Sequence, residues 1–302
     1  MNIQSYIAQV TAIMDDLRVK EADGKFAAHY TNAQTPKFLL AAATENKMRQ
    51  FDGDYMNDPE EGRYLVDVMI AAAQECTHQH KSNFVERFAK LRDSRLLYSA
   101  YRKATFLSCW TITPIRNGAE DSSDSLNHWR FYGDDGKGSC IVVPLKNLIH
   151  IFPDQLFKVI YGTESRGGGR GAGERPIRKL KDALIARLNS LRGTLHLAME
   201  DLEAVIQATH PLLFLFKSSE YSSEEEVRSI GHASNYSTRE GVLFDDRSPR
   251  RAYIEGNPGV ICNGSILYYG PKADPKHAIE VMGLAANLGV DIDVYVSSMP
   301  YR

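Results

Sequence analysis

Cysteine is scarce and scattered in this sequence. The four present, Cys76, Cys109, Cys140 and Cys262, lie far apart and form no CxxC pair, which argues against a zinc site. Cys109 and Cys140 fall inside the apolar runs FLSCWTI and SCIVV, where a thiol behaves as a small buried hydrophobe, so a reduced chain is expected. Long apolar runs are missing as well. None approaches the roughly 18 residues of a membrane span, and the N-terminus lacks the apolar stretch of a signal peptide. The expectation is a protein without membrane insertion, cytoplasmic or delivered into a target cell by a route that reads no such signal. Neither sign of charge dominates: a net charge of −2 gives no global attraction to nucleic acid or anionic lipid. No GxGxxG or GxxxxGK[ST] follows a strand-like run, so dinucleotide-fold and phosphate-loop readings are poor.

What is present reads as alternating helices and strands with one core. Ile3, Ile7, Val10, Ile13, Met14 and Leu17 share one helical face, a covering helix within residues 1–20. GKFAAHYT reads as a first strand and TPKFLLAAATENK as a helix. Asn57-Asp58-Pro59 starts a further helix, with Glu60 and Glu61 in its first turn. Another helix covers roughly 83–102. TFLSCWTI, SCIVVPL and FKVIYG follow as apolar strands, with HWRFY and a glycine-rich turn between the first two. ESRGGGRGAGERP reads as a surface loop, residues 175–216 as a helical insert, and the chain closes with strand, helix and strand. The expected fold is a single α+β domain over 1–302, built on a mixed, mostly antiparallel split sheet with packed helices.

The stretch FKSSEYSSEEEVRSI raises the chemical question, because it sets three glutamates where a strand is about to enter a core. Read as a strand, it points Glu224, Glu226 and Arg228 one way and Glu225 and Val227 the other. Such an acid-acid-base row is either a solvated edge or the wall of a site in which Arg228 orients a carboxylate. Three other stretches bring polar chemistry beside strands. They are His29-Tyr30-Thr31, the acids and turn of Asp54 to Glu61, and His128 to Tyr132 before Gly133-Asp134-Asp135-Gly136-Lys137-Gly138, where aromatic rings could floor a flat ligand.

Taken in order, HYT, YMNDPEEG, FLSCWT, HWRFYGDDGKGSCIVV, KVIYG and Lys217 with YSSEEEVR resemble the family catalogued as domain of unknown function 2971, over roughly 26–300. Tyr221 stands where that family usually shows tryptophan, and the insert is long. A second resemblance, on fewer residues, is to His-Tyr-Glu ADP-ribosyltransferases. It implies a fold of that kind and NAD as substrate, with no metal expected. It implies His29 and Thr31 on the ribose, Tyr132 or Tyr30 stacked on nicotinamide, and Glu226 as the catalytic acid. Glu224 would orient the acceptor, and Arg228 would set Glu226 or meet a diphosphate. Asn57 and Ser108, from the second and third motifs, complete the cofactor-binding set. The chemistry suits these residue types, because breaking the nicotinamide–ribose bond builds positive charge on the sugar. An NAD-consuming transferase or glycohydrolase of bacterial effector or toxin type is the resulting expectation, its protein or nucleic-acid acceptor unspecified. Two alternatives stay open: a metal-dependent nuclease or phosphoesterase using Asp54, Asp58, Glu224 and Glu226, and a non-catalytic binding module in which the aromatic cleft and the loop Arg166 to Arg175 recognise a partner.

Overall fold

The computed structural model describes residues 1–20, 25–41, 47–55, 62–93, 104–113, 124–162 and 174–299. Helix α1 (Ile3–Leu17) buries Tyr6, Val10, Ile13 and Leu17, and the side chain of Asn2 caps it by accepting from the Ser5 N–H at 2.8 Å. Strand β1 (Phe26–Thr31) leads to the short helix α2 (Thr35–Ala41) and then to β2 (Lys47–Asp52). Lys47 therefore begins a strand, where the sequence reads as the end of a helix. Its alternating burial is the period-two signal of KMRQFD.

Helices α3 (Arg63–Glu75) and α4 (Lys81–Asp93) precede the long strand β3 (Ala104–Thr113). The expected helix start at Pro59 and the part of the expected 83–102 helix beyond Asp93 lie outside the described residues. Helix α5 (Leu126–Phe131), β4 (Ser139–Pro144) and α6 (Leu145–Ile151) come next. FKVIYG is not one strand but two short ones, β5 (Leu156–Lys158) and β6 (Ile160–Tyr161), which pair with different neighbours. The insert is the helix pair α7 (Glu174–Asn189) and α8 (Leu195–Thr209). After it run β7 (Phe216–Lys217), β8 (Glu226–Ala233), β9 (Leu243–Phe244), β10 (Ala252–Pro258), β11 (Ser265–Tyr269), α9 (Lys276–Leu288) and β12 (Ile292–Val296).

The fold is α+β with a mostly antiparallel open sheet. Among the described residues, eight of its ten strands run in the order β12-β11-β4-β1-β3-β2-β10-β9, β8 pairs with β3 and β5 off that path, and only β11 and β12 run parallel within it. Strand β3 is the pivot. On one side it pairs with β8 from Ala104 to Thr111; on the other, β1 holds only Thr111–Thr113 and β2 only Phe106 and Leu107. Between those two short ladders β1 and β2 part, so the sheet splits beside Ser108, Cys109 and Trp110.

The pleat then assigns faces. Leu107, Phe157 and Ile230 point into a core closed by α1, α3, α4, α7 and α8, where Phe84, Leu184 and Leu202 are fully buried. Trp110, Val227 and Leu156 point into the opposite core with residues of α2, α6 and α9. Each buried leucine adds about 1.5–3 kcal/mol of hydrophobic stabilisation, which is what fixes β3 and β8 between the two layers.

Candidate functional site: a clamped pair of glutamates

The sheet core changes character where β8 begins. Glu224 ends a 3-10 turn spanning Ser219–Glu224, and Glu225 takes a left-handed conformation (φ 44°), so the strand starts only at Glu226. The continuous acid-acid-base row expected from the sequence is thus corrected. Glu226 and Arg228 share a face by strand phase, while Glu224 reaches the same place through a turn.

Arg228 is 1% exposed and Glu226 7%. The guanidinium grips the carboxylate twice, Nε to Oε1 at 2.8 Å and Nη2 to Oε2 at 2.9 Å, and its Nη1 donates to the Phe214 carbonyl at 2.7 Å. Lys217 of β7 joins the two acids, Nζ lying 3.1 Å from Glu226 Oε2 and 2.8 Å from Glu224 Oε2, with the Tyr221 ring 4.9 Å away. Tyr132 donates its hydroxyl proton to Glu224 Oε1 at 2.5 Å, and the Glu226 N–H donates to the Tyr161 hydroxyl at 2.8 Å. Two carboxylates meet two cations, so the cluster is neutral as a whole.

These contacts set the ionisation. Burial alone would raise the Glu226 pKa, but the charges of Arg228 and then Lys217, with hydrogen bonds from Arg228 and Cys109, outweigh it and hold the group at about 2. Tyr132 and Tyr161 move the other way. Burial raises both phenols well above the ordinary range, assisted at Tyr132 by its bond to Glu224 and at Tyr161 by the charge of Glu226. Glu226 is therefore a fixed anion, and Tyr132 keeps its proton.

The aromatic side of the site comes from α5 and β1. Tyr30 stacks on His128 (5.1 Å between centroids, 17° between planes) and meets the edge of Trp129 at 4.9 Å. The Ser125 N–H donates to its hydroxyl at 3.1 Å. Tyr132 lies 6.0 Å from His128 on the outer side and is 40% exposed. Both ring nitrogens of His128 are sealed from solvent without a hydrogen-bond partner; burial lowers its pKa, against a smaller upward pull from Glu224 and Glu226. The glycine-rich turn after Tyr132 is a close-packed bend. A Cβ on Gly138 would lie 2.2 Å from the Thr31 carbonyl oxygen, and one on Gly133 would lie 2.5 Å from the Trp129 ring. The turn anchors α5 and so aims Tyr132 at Glu224.

The residues singled out in the sequence divide between the two faces of the sheet. Register pairs Ala28 with Thr111 and Thr111 with Glu226, which puts Tyr30 on the face of Glu226 and Arg228. His29, Thr31 and Ser108 fall on the other face. His29 packs 5.0 Å from Trp110 and bonds the Cys109 carbonyl at 2.8 Å; since that oxygen only accepts, Nδ1 carries the proton. Burial holds the His29 pKa down, only partly offset by that bond. Thr31 bonds Thr35 at 3.0 Å, and the Ser108 hydroxyl accepts from Trp110 Nε1 at 2.8 Å. Tyr30 shares the face of the acids, but its ring is covered, which leaves Tyr132 as the more exposed of the two rings. Arg228 fills the orienting role and is too enclosed to meet a diphosphate. Asn57 and Asp58 lie outside the described residues, as does the arginine-bearing loop up to residue 173.

Sequence reading underrated Lys217, which no alternation marks because it ends the apolar run LLFLFK in a strand of two residues. Its one signal is a lysine on such a run, a residue rarely buried without partners. Among the described residues, no three His, Cys, Asp or Glu side chains are placed to share a metal ion, and lysine and arginine nitrogens stand where a cation would bridge Glu224 and Glu226. A cavity of about 380 Å³ lies elsewhere, lined by α1 and α7 residues including Gln9, Ile13, Asp16 and Lys179. No helix among the described residues is long and apolar enough to cross a membrane. Searches against family models, curated proteins and solved structures find no match.

Proposed function

We propose that this protein cleaves the bond between nicotinamide and ribose in NAD and passes the ADP-ribosyl group to a macromolecular acceptor or to water, as an effector or toxin would. One observation carries the reading: a carboxylate, Glu224, is held by Lys217 and Tyr132 beside an exposed aromatic ring on a split sheet. As the C1′–N bond breaks, its electron pair goes to the nicotinamide nitrogen and positive charge gathers on the ribose. A carboxylate fixed before the reaction begins stabilises that charge without reorganising. The acceptor oxygen or nitrogen then bonds C1′, and its proton leaves to Glu224 or solvent.

The roles differ from those implied by the resemblance. Glu224 and Tyr132 are the outermost members of the network and meet the substrate, Tyr132 under the nicotinamide ring. Glu226 and Arg228 are positioning residues that hold Lys217. His29 and Thr31 support the split from the far face.

The test is nicotinamide release from NAD by the purified chain, with and without acceptor-rich lysate. Wild type releases nicotinamide, EDTA leaves the rate unchanged, and Glu224→Gln lowers it by roughly 100-fold, the scale of removing one electrostatic stabiliser. The reading is abandoned if wild type releases none under any acceptor condition, or if Glu224→Gln retains the full rate.

A further inference from the structure

Arg49 on β2 differs from the other enclosed arginines. Arg228 has Glu226, Arg187 has Asp201 and Arg251 has Asp245. Among the described residues, Arg49 has no carboxylate within ion-pair distance, and its guanidinium donates no hydrogen bond to any of them. Its guanidinium lies instead between two rings, 5.2 Å from the centre of Phe38 and 4.3 Å from that of Tyr253. Its Nε is sealed from solvent and unpartnered, while the residue as a whole is only half-buried. The carboxylate directly across the ladder, Glu255, leans to Lys47 at 3.8 Å rather than to Arg49. Lys47 and Arg49 are two residues apart on one strand face, so two cations meet one acid and a positive charge is left over.

The position matters as much as the charge. The β2–β3 ladder holds Phe51 against Leu107 and Asp52 against Phe106, then ends, and β1 leaves β3 after Ala28. Arg49 stands on one bank of the split that opens between them and His29 on the other. By the two-residue period Arg49 shares its face with Phe51, Leu107, Cys109 and Glu226.

We propose that Arg49 is a receptor for a phosphate oxyanion and, resting on the NAD reading above, that it takes the diphosphate of the dinucleotide. A guanidinium offers phosphate a planar pair of donors. Two flanking rings already hold this one flat, so little side-chain freedom is lost when the anion arrives. Ring contacts alone would be equally served by an apolar chain of similar length, which separates a structural role from a binding one.

The experiment is calorimetric titration of the full chain with inorganic phosphate, pyrophosphate and ADP-ribose. Wild type is compared with Arg49→Met, Arg49→Lys and Phe38→Leu, with thermal unfolding of each as the folding control. Wild type binds pyrophosphate and ADP-ribose. Arg49→Met loses at least ten-fold in affinity with its melting temperature kept, Arg49→Lys loses less, and Phe38→Leu, which keeps the charge, weakens binding several-fold. Tighter binding of ADP-ribose than of pyrophosphate marks a nucleotide diphosphate; equal binding marks a general phosphate site. The inference is overturned if wild type binds none of the three, or if folded Arg49→Met binds them as tightly. Nicotinamide release in the same preparations separates the two claims. Cleavage of NAD with an unchanged KM in Arg49→Met removes the Arg49 site and leaves the activity, whereas Arg49-dependent pyrophosphate binding without cleavage leaves the site and removes the activity.

Discussion

His29 and Tyr30 are neighbours in the chain, yet they serve two regions of different physics. The face of Tyr30 carries an ionic network in which Glu226, Arg228, Lys217 and Glu224 are joined at 2.8–3.1 Å and end at a half-exposed phenol. The face of His29 carries paired local contacts, ring on indole and hydroxyl on indole N–H, that close on themselves. Polar groups on the first face are linked outward to a surface; on the second they satisfy each other. Candidate chemistry is recognised here by whether a polar chain ends at solvent, and residue type alone does not show that.

The strongest way to break the contrast is Arg228→Met. It leaves Glu226 buried beside a single cation, and removing one partner of a buried pair costs about 3–5 kcal/mol. The midpoint of urea unfolding reads this directly. Adding Glu226→Gln should recover part of the loss, because the uncompensated charge is then gone; a single variant as stable as wild type would mean that the network does not hold β8.

Acid gives the next largest effect. Glu226 titrates at about 2 in the fold, below the ordinary carboxylate value near 4.3, so its contribution is complete above the unfolded value and is lost as pH falls from there toward about 2. The difference amounts to roughly 3 kcal/mol. His29 and His128 add to the same slope from higher pH. Both are held below the ordinary histidine value, so the unfolded chain takes up more protons once pH drops under about 6.5. Glu226→Gln should flatten the unfolding curve only below about pH 4.3, and His29→Phe should flatten it beginning already at about pH 6.5.

His29→Phe also sharpens the comparison between faces. The Cys109 carbonyl loses its donor at the split, a cost of about 1–3 kcal/mol. Nicotinamide release per folded molecule should stay within about two-fold of wild type, since no part of the ionic network is touched. A ten-fold loss of turnover would return His29 to the site.

Tyr132→Phe should have the smallest effect on stability, under about 1 kcal/mol, because the residue is half-exposed and the partner of its hydroxyl, Glu224, keeps Lys217. Its effect on nicotinamide release should be at least ten-fold. Unchanged turnover would detach the phenol from the chemistry while leaving Glu224 to be tested by itself.

Much of this was legible in the residues. Periodicity marked α1, β3, β4 and the strand–helix–strand close, because each carries an apolar pattern long enough to show its period. Strand phase also joined Glu226 to Arg228. It misjudged Glu224, since a left-handed residue at 225 breaks alternation and nothing in the run EEE announces it. β2 was hidden by following a helix closely, and β7 is too short to have a period at all.

The local sequence determined which segments could be helix or strand, and that acid, base and ring would occur near strand ends, because those properties depend on neighbours within a few residues. Tertiary structure decided the rest. The split beside β3 arises because β1 and β2 each claim only part of its edge, and the pleat then sends His29 and Tyr30 to opposite layers. Lys217 could join two glutamates, and Arg49 could stand without one, only after strands distant in the chain were laid side by side.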